Sequence, residues 1–208
     1  MKTSIFMISL LILQPVQGQT RTGFEAYYYT CYSGTSAIVP KAYFQSNGWY
    51  GEARYNYESG QSLSLFAGRT FSKENLLSWS FTPMIGVVAG QLRGGSLGVN
   101  AALNIKGIYF NTASQYTASW HDRNESFFYA WSELGYQLTE HIYAGAALQQ
   151  TGFCGNGNSL EPGLQLTLSS GSWRLPVYLF SSRDKQLYLV AGINREWTYG
   201  QSKTHKSY

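Results

Sequence analysis

From Thr22 onward the chain breaks into segments of about 10 to 15 residues in which apolar and polar side chains alternate with period two. That period belongs to β-strands, because successive side chains of an extended chain point to opposite faces. In GSLGVNAALNIK, Leu97, Val99, Ala101, Leu103 and Ile105 share one face, while Ser96, Gly98, Asn100, Ala102, Asn104 and Lys106 share the other. In SLEPGLQLTLSS, Leu160, Leu164, Leu166 and Leu168 oppose Glu161, Gln165, Thr167 and Ser169. No stretch keeps a helical apolar stripe.

The alternation predicts twelve strands, at about 23–33, 37–46, 48–58, 61–71, 76–91, 95–105, 107–120, 124–138, 141–151, 159–169, 172–182 and 185–198. Short clusters such as Ser46-Asn47-Gly48, Lys106-Gly107 and Ser170-Gly171 separate them. Turns this short join only antiparallel neighbours, so the expected sheet is an up-and-down meander.

Composition decides which face is inside. Charged residues are 12% of the chain and aromatic residues 16%, with 17 tyrosines and 22 glycines. A soluble barrel turns its apolar face inward, closes with about eight strands and shows water a surface rich in Lys and Glu. A transmembrane barrel reverses the faces, with aliphatics toward lipid and a polar lumen. Low charge and twelve long strands favour the transmembrane version. Its lumen-lining residues are expected to be Glu52, Arg54, Asn56, Glu133, Gln165, Arg174 and Glu196.

With both ends of the barrel on one side, Trp49, Trp79, Phe81, Phe110, Tyr136, Trp173 and Trp197 fall at that rim on the outward face, and Tyr55, Tyr57 and Trp120 near the other. Indole and phenol groups favour the headgroup level, so the first set reads as an interface aromatic girdle.

The first residues, MKTSIFMISLLILQPVQGQT, carry Lys2, a run of nine residues from Ile5 to Leu13 and a Val16-Gln17-Gly18 end. A spanning helix needs roughly 17 to 25 apolar residues, so this pattern is expected to be a cleaved Sec signal peptide over 1–18. Residues 19–200 would form the outer-membrane barrel and 201–208 a C-terminal tail. The net charge of +4 is dispersed and predicts no nucleic-acid partner. Outer-membrane lipids, the barrel-assembly machinery and small solutes are the expected partners.

The central and C-terminal segments resemble a widespread, functionally uncharacterised family of bacterial outer-membrane β-barrels. The resemblance rests on ARYNYE, LSWSFTPMIGVVAGQLRG at 77–94, SFFYAWSELGYQL at 126–138 and YAGAALQQT at 143–151, and it covers roughly 48–195. It implies a barrel in the outer membrane and supplies no substrate or catalytic residue.

Three classes of function fit. The first is a narrow or occluded channel for small solutes, or a structural barrel. The second is a surface-interaction barrel, with TGFCGNGNSLEPG as its candidate segment. The third is a lipid acyl hydrolase or transferase using Ser119 and His121, with Glu133 in reach, since a serine activated by an imidazole and an orienting carboxylate is the minimum for acyl transfer. Cys31 and Cys154 form a possible disulfide of an exported protein. Histidine and cysteine spacings match no metal motif, and no cofactor is expected.

Overall fold

The computed structural model describes residues 20–30, 36–56, 60–154 and 157–200. The expected signal peptide, the C-terminal tail, Tyr57 and Cys31 lie outside the described residues.

Thirteen strand elements make one sheet: β1 (Thr20–Tyr29), β2 (Ala37–Ser46), β3 (Trp49–Tyr55), β4 (Leu63–Arg69), β5 (Phe71–Lys73), β6 (Leu77–Ala89), β7 (Gly94–Ile105), β8 (Ile108–Ser119), β9 (Phe127–Gln137), β10 (Ile142–Phe153), β11 (Gly157–Ser170), β12 (Trp173–Ser181) and β13 (Leu187–Tyr199). Every element pairs antiparallel with its sequence neighbour except that β4 and β5 both pair with β6. They do so in a single register, Gly68 opposite Met84 and Phe71 opposite Phe81. The two are therefore one strand interrupted at Thr70, whose N–H donates to Gly48 O at 2.7 Å. The wall has twelve strands, and it closes where β1 pairs with β13, Thr20 opposite Tyr199.

Closure satisfies the backbone groups that an open sheet would leave bare at its edges. Two-residue hairpins set the register where the sequence supplies the required backbone. Asn47 and Gly48 have φ of 51° and 79°, and Lys106 and Gly107 have 49° and 84°. Both central residues at positive φ is the twist-matched hairpin turn.

The faces are inverted relative to a water-soluble domain. Leu97, Ile85 and Leu164 are 64%, 67% and 68% exposed, whereas Glu52 and Arg54 are 5% and 4% exposed. No single-domain protein in water gains from exposing its leucines and burying its charges, so the outer wall is built for an apolar surround. Among the described residues no helix is long and apolar enough to cross a membrane.

Apolar packing is also found inside. In the half of the lumen away from the termini, Ala147, Tyr178, Phe180 and Val190 form a buried cluster against Tyr27, Tyr29, Trp131 and Tyr188. Val88, Leu92 and Phe127 form a second with Tyr129.

Candidate functional site: the barrel lumen

The half of the lumen nearer the termini holds a cavity of about 610 Å³. Its lining runs from Ser72, Glu74 and Ser78 around the β5–β6 turn down to Trp131 and Tyr178. The aromatic cluster is its floor. Trp131 meets Tyr178 edge-on with ring centroids 4.8 Å apart and Phe180 at 5.0 Å, and Tyr27 approaches Trp131 at 6.3 Å from β1. Such pairs add roughly 0.5–1.5 kcal/mol each beyond area burial. The barrel is thus a cup with an aromatic base.

Five inward carboxylates share one arrangement: each accepts a hydrogen bond from a tyrosine. Tyr27 donates to Glu25 at 3.3 Å, Tyr50 to Glu52 at 2.5 Å, Tyr178 to Glu133 at 2.7 Å, Tyr188 to Glu161 at 2.5 Å and Tyr43 to Glu196 at 2.5 Å. Glu133 also accepts from Trp131 Nε1 at 2.8 Å. A hydrogen bond to a charged group is worth roughly 1.5–3 kcal/mol, which offsets part of the cost of withdrawing the buried and half-buried carboxylates from water. Five of the 17 tyrosines take this role among the described residues. Three of these contacts join i and i+2 on one strand (Glu25 and Tyr27, Tyr50 and Glu52, Trp131 and Glu133), which is the same-face spacing of a strand.

Ion pairs complete the set. Lys41 Nζ lies 2.9 Å from Glu25 and 4.0 Å from Glu52. Arg54 donates to Glu52 on its own strand and, across the lumen, to Gln115 Oε1 on β8, with its guanidinium 4.5 Å from the Phe66 ring centre.

The residues expected in the lumen divide into three groups. Glu52, Arg54 and Gln165 are buried on the inward face, and Glu133 is half-buried there. Arg174 and Glu196 take the inward side of β12 and β13 near the termini, where both are exposed. Asn56 stands past the end of β3 at φ 58°, its Oδ1 accepting from Gln61 N at 2.7 Å and its Nδ2 donating to Ile38 O at 3.3 Å. Its side chain organises the hairpin backbone.

Of the expected girdle, Trp49, Phe81, Tyr136 and Trp173 are exposed on the outward face, and Trp79, Phe110 and Trp197 are half-buried. All seven lie toward the rim that carries Thr20 and Tyr199.

The Ser119, His121 and Glu133 constellation does not assemble. Ser119 Oγ donates to Glu125 at 3.2 Å and accepts from the backbone N–H groups of His121 and Asp122, both at 3.3 Å, so the hydroxyl ties a turn. Glu133 stands opposite Asn111, eight residues along β8 from Ser119 and roughly 25 Å away at ~3.3 Å per residue. Period two had put these groups on one face, and one face of a long strand spans the whole barrel. Cys154 is exposed with a free thiol at the end of β10, its N–H donating to Ser126 O at 3.0 Å. Among the described residues no three His, Cys, Asp or Glu side chains are grouped to hold a metal ion.

A closed twelve-stranded antiparallel wall with charge inside and aliphatics outside defines a porin-type barrel. Among solved structures, the chain is similar to the NanC porin, with a TM-score of 0.57, 8% identity, and 87% of this chain and 100% of that one covered. The KdgM porin gives a TM-score of 0.52 at 10% identity, covering 84% and 98%. The KdgM porin in complex with disordered oligogalacturonate gives 0.55 at 9% identity over the same shares. At these identities the likeness is one of fold. No protein-family model matches the chain, and no curated protein does.

Proposed function

We propose that the chain is an integral outer-membrane barrel, exported through its N-terminal signal peptide, whose lumen is a narrow channel for small polar solutes constricted by the Trp131–Tyr178 floor. The observation that carries this reading is the cavity of about 610 Å³ in a twelve-stranded wall, entered at the termini's rim and ended by aromatic side chains. The exposed outer leucines support insertion into lipid, and the twelve-stranded porin fold supports the outer membrane as the place. The segments resembling an uncharacterised outer-membrane family fit the same location.

The lining carries both signs, Arg21, Lys41, Lys73 and Arg174 with Glu25, Glu74 and Glu133. Most of these charges are already matched, Lys41 by Glu25 and Arg21 by Glu74 at 3.8 Å. A mixed, matched lining favours small neutral or zwitterionic solutes over a strongly anionic polymer such as the oligogalacturonate described with the KdgM porin.

Liposome swelling tests the proposal. Vesicles containing the protein should admit a pentose slowly and exclude a tetrasaccharide. Equal rates for the two sugars, or a pentose rate no higher than that of protein-free vesicles, would remove the constricted channel from consideration.

A further inference from the structure

The charges on the two faces of the wall are treated differently. Three inward cations meet carboxylates: Arg54 meets Glu52, Lys41 meets Glu25 and Arg21 meets Glu74. Two outward arginines meet indoles instead. Arg195 is register partner to Trp173 on β12, and its guanidinium carbon lies 4.5 Å from the Trp173 ring centre and 4.6 Å from that of Trp197. Arg69 is register partner to Trp49, with its guanidinium 5.3 Å from the indole. Neither arginine has an ion pair among the described residues, and Arg195 Nε is buried without a hydrogen-bond partner.

Both sites stand at the same height. Trp49 begins β3 next to the Asn47-Gly48 hairpin, and Trp173 begins β12 next to Gly171. Each is on the rim that carries the termini. The neighbours on the wall are apolar: Phe24, opposite Arg195 on β1, and Ile193 are both 42% exposed. A guanidinium on a lipid-facing wall is costly near the bilayer midplane, falling to roughly 0–1 kcal/mol at the interface. The cost falls further where an anion is supplied. Stacking on indole fixes the guanidinium plane and leaves its N–H groups at the edge, where the planar fork matches two oxygens of a phosphate.

We infer that Arg195 with Trp173 and Trp197, and Arg69 with Trp49, are two phosphate-binding sites for phospholipid headgroups on the outer wall, at the level of the leaflet next to the termini. The inference rests on the membrane-spanning reading above. It adds that the girdle binds phosphate as well as meeting the interface, and that these headgroups supply the anion that no carboxylate of the wall supplies.

Native mass spectrometry of the full chain tests it. The folded protein in a mild maltoside detergent is mixed with equal amounts of a dioleoyl phosphatidylglycerol and a dioleoyl galactolipid without phosphate. The wild type should retain the phospholipid roughly tenfold over the glycolipid, about the effect of one charge-assisted hydrogen bond. Arg69→Gln with Arg195→Gln should bring the ratio close to one, and Arg69→Lys with Arg195→Lys should leave it intermediate because the charge remains without the fork. The lysine pair carries the test if the glutamine pair does not fold. Equal retention of both lipids by the wild type overturns the inference, as does a preference unchanged in the folded variants. Displacement of the phospholipid by millimolar inorganic phosphate overturns the headgroup assignment in favour of an ion site. A chain that never folds or enters bilayers would fail the barrel reading itself, whereas a folded barrel without lipid preference fails this inference alone.

Discussion

Arg54 on β3 reaches across the barrel to Gln115 on β8 while its own Nε is held by Glu52 two residues away, so one buried guanidinium ties two distant parts of the wall. Glu52 also takes the Tyr50 hydroxyl at 2.5 Å and lies 4.0 Å from Lys41. The group forms a single polar unit, and its members cannot be removed independently.

Glu52→Gln should therefore be severe. It leaves Arg54 buried without its carboxylate, at a cost of roughly 3–5 kcal/mol. Gln115→Leu, which removes a neutral acceptor and leaves the ion pair, should cost less, about 1–3 kcal/mol. Urea unfolding of the barrel in lipid vesicles, followed by tryptophan fluorescence, measures both; a larger loss for Gln115→Leu would mean that the transluminal bond, not the ion pair, carries the stability.

The face assignment can be checked with adjacent residues of β11. Leu166 is 49% exposed and Gln165 is buried inward. Arg at 166 should cost roughly 2–4 kcal/mol if the position lies near the bilayer midplane, whereas Arg at 165, directed toward the cavity, should cost much less. Equal unfolding midpoints for the two variants would contradict the outward-leucine arrangement.

Two glycines separate side-chain crowding from backbone crowding. A Cβ at Gly23 would fall 2.2–2.4 Å from the Tyr43 ring, which lies over it on the way to Glu196. The ring can swing away, so Gly23→Ala should cost about 1.5–3 kcal/mol, the loss of one charged hydrogen bond. At Gly145 the Cβ would meet Leu134 O at 2.3 Å and Gly135 Cα at 2.5 Å, backbone atoms of the neighbouring strand. Gly145→Ala should be the worse of the two in the same unfolding assay, with a lower yield of folded barrel.

Closure of β1 on β13 leaves no strand edge for detergent to open. Samples in dodecyl sulfate should migrate differently in gels before and after boiling. Identical migration would argue against a closed wall.

The wall itself was legible because it depends on local rules. Period two marks the strands and positive-φ pairs such as Asn47-Gly48 mark the turns, so twelve strands follow from residues two to fifteen apart. The break at Thr70 was not legible, since it arises from a bond to Gly48 O in a turn distant in sequence. β9 begins at Phe127 rather than Asn124 because Asp122 caps a short 3-10 turn, its carboxylate accepting from Asn124 N at 2.9 Å. Alternation placed Glu52, Arg54 and Gln165 on the inward side but said nothing about depth, which is why Ser119 and Glu133 looked close. The tyrosine–glutamate contacts within a strand could have been found from Glu25-Ala-Tyr27 and Tyr50-Gly-Glu52. Tyr43 with Glu196 and the aromatic floor join strands far apart in the chain, and no local pattern encodes them.

Current through single barrels in planar bilayers bears most directly on a channel constricted by Trp131 and Tyr178. The unaltered protein should give small steps, and Trp131→Ala with Tyr178→Ala, which removes two rings of the floor and leaves the outer wall untouched, should raise the step size several-fold. Large steady conductance from the unaltered protein, or no change on removing both rings, would contradict it.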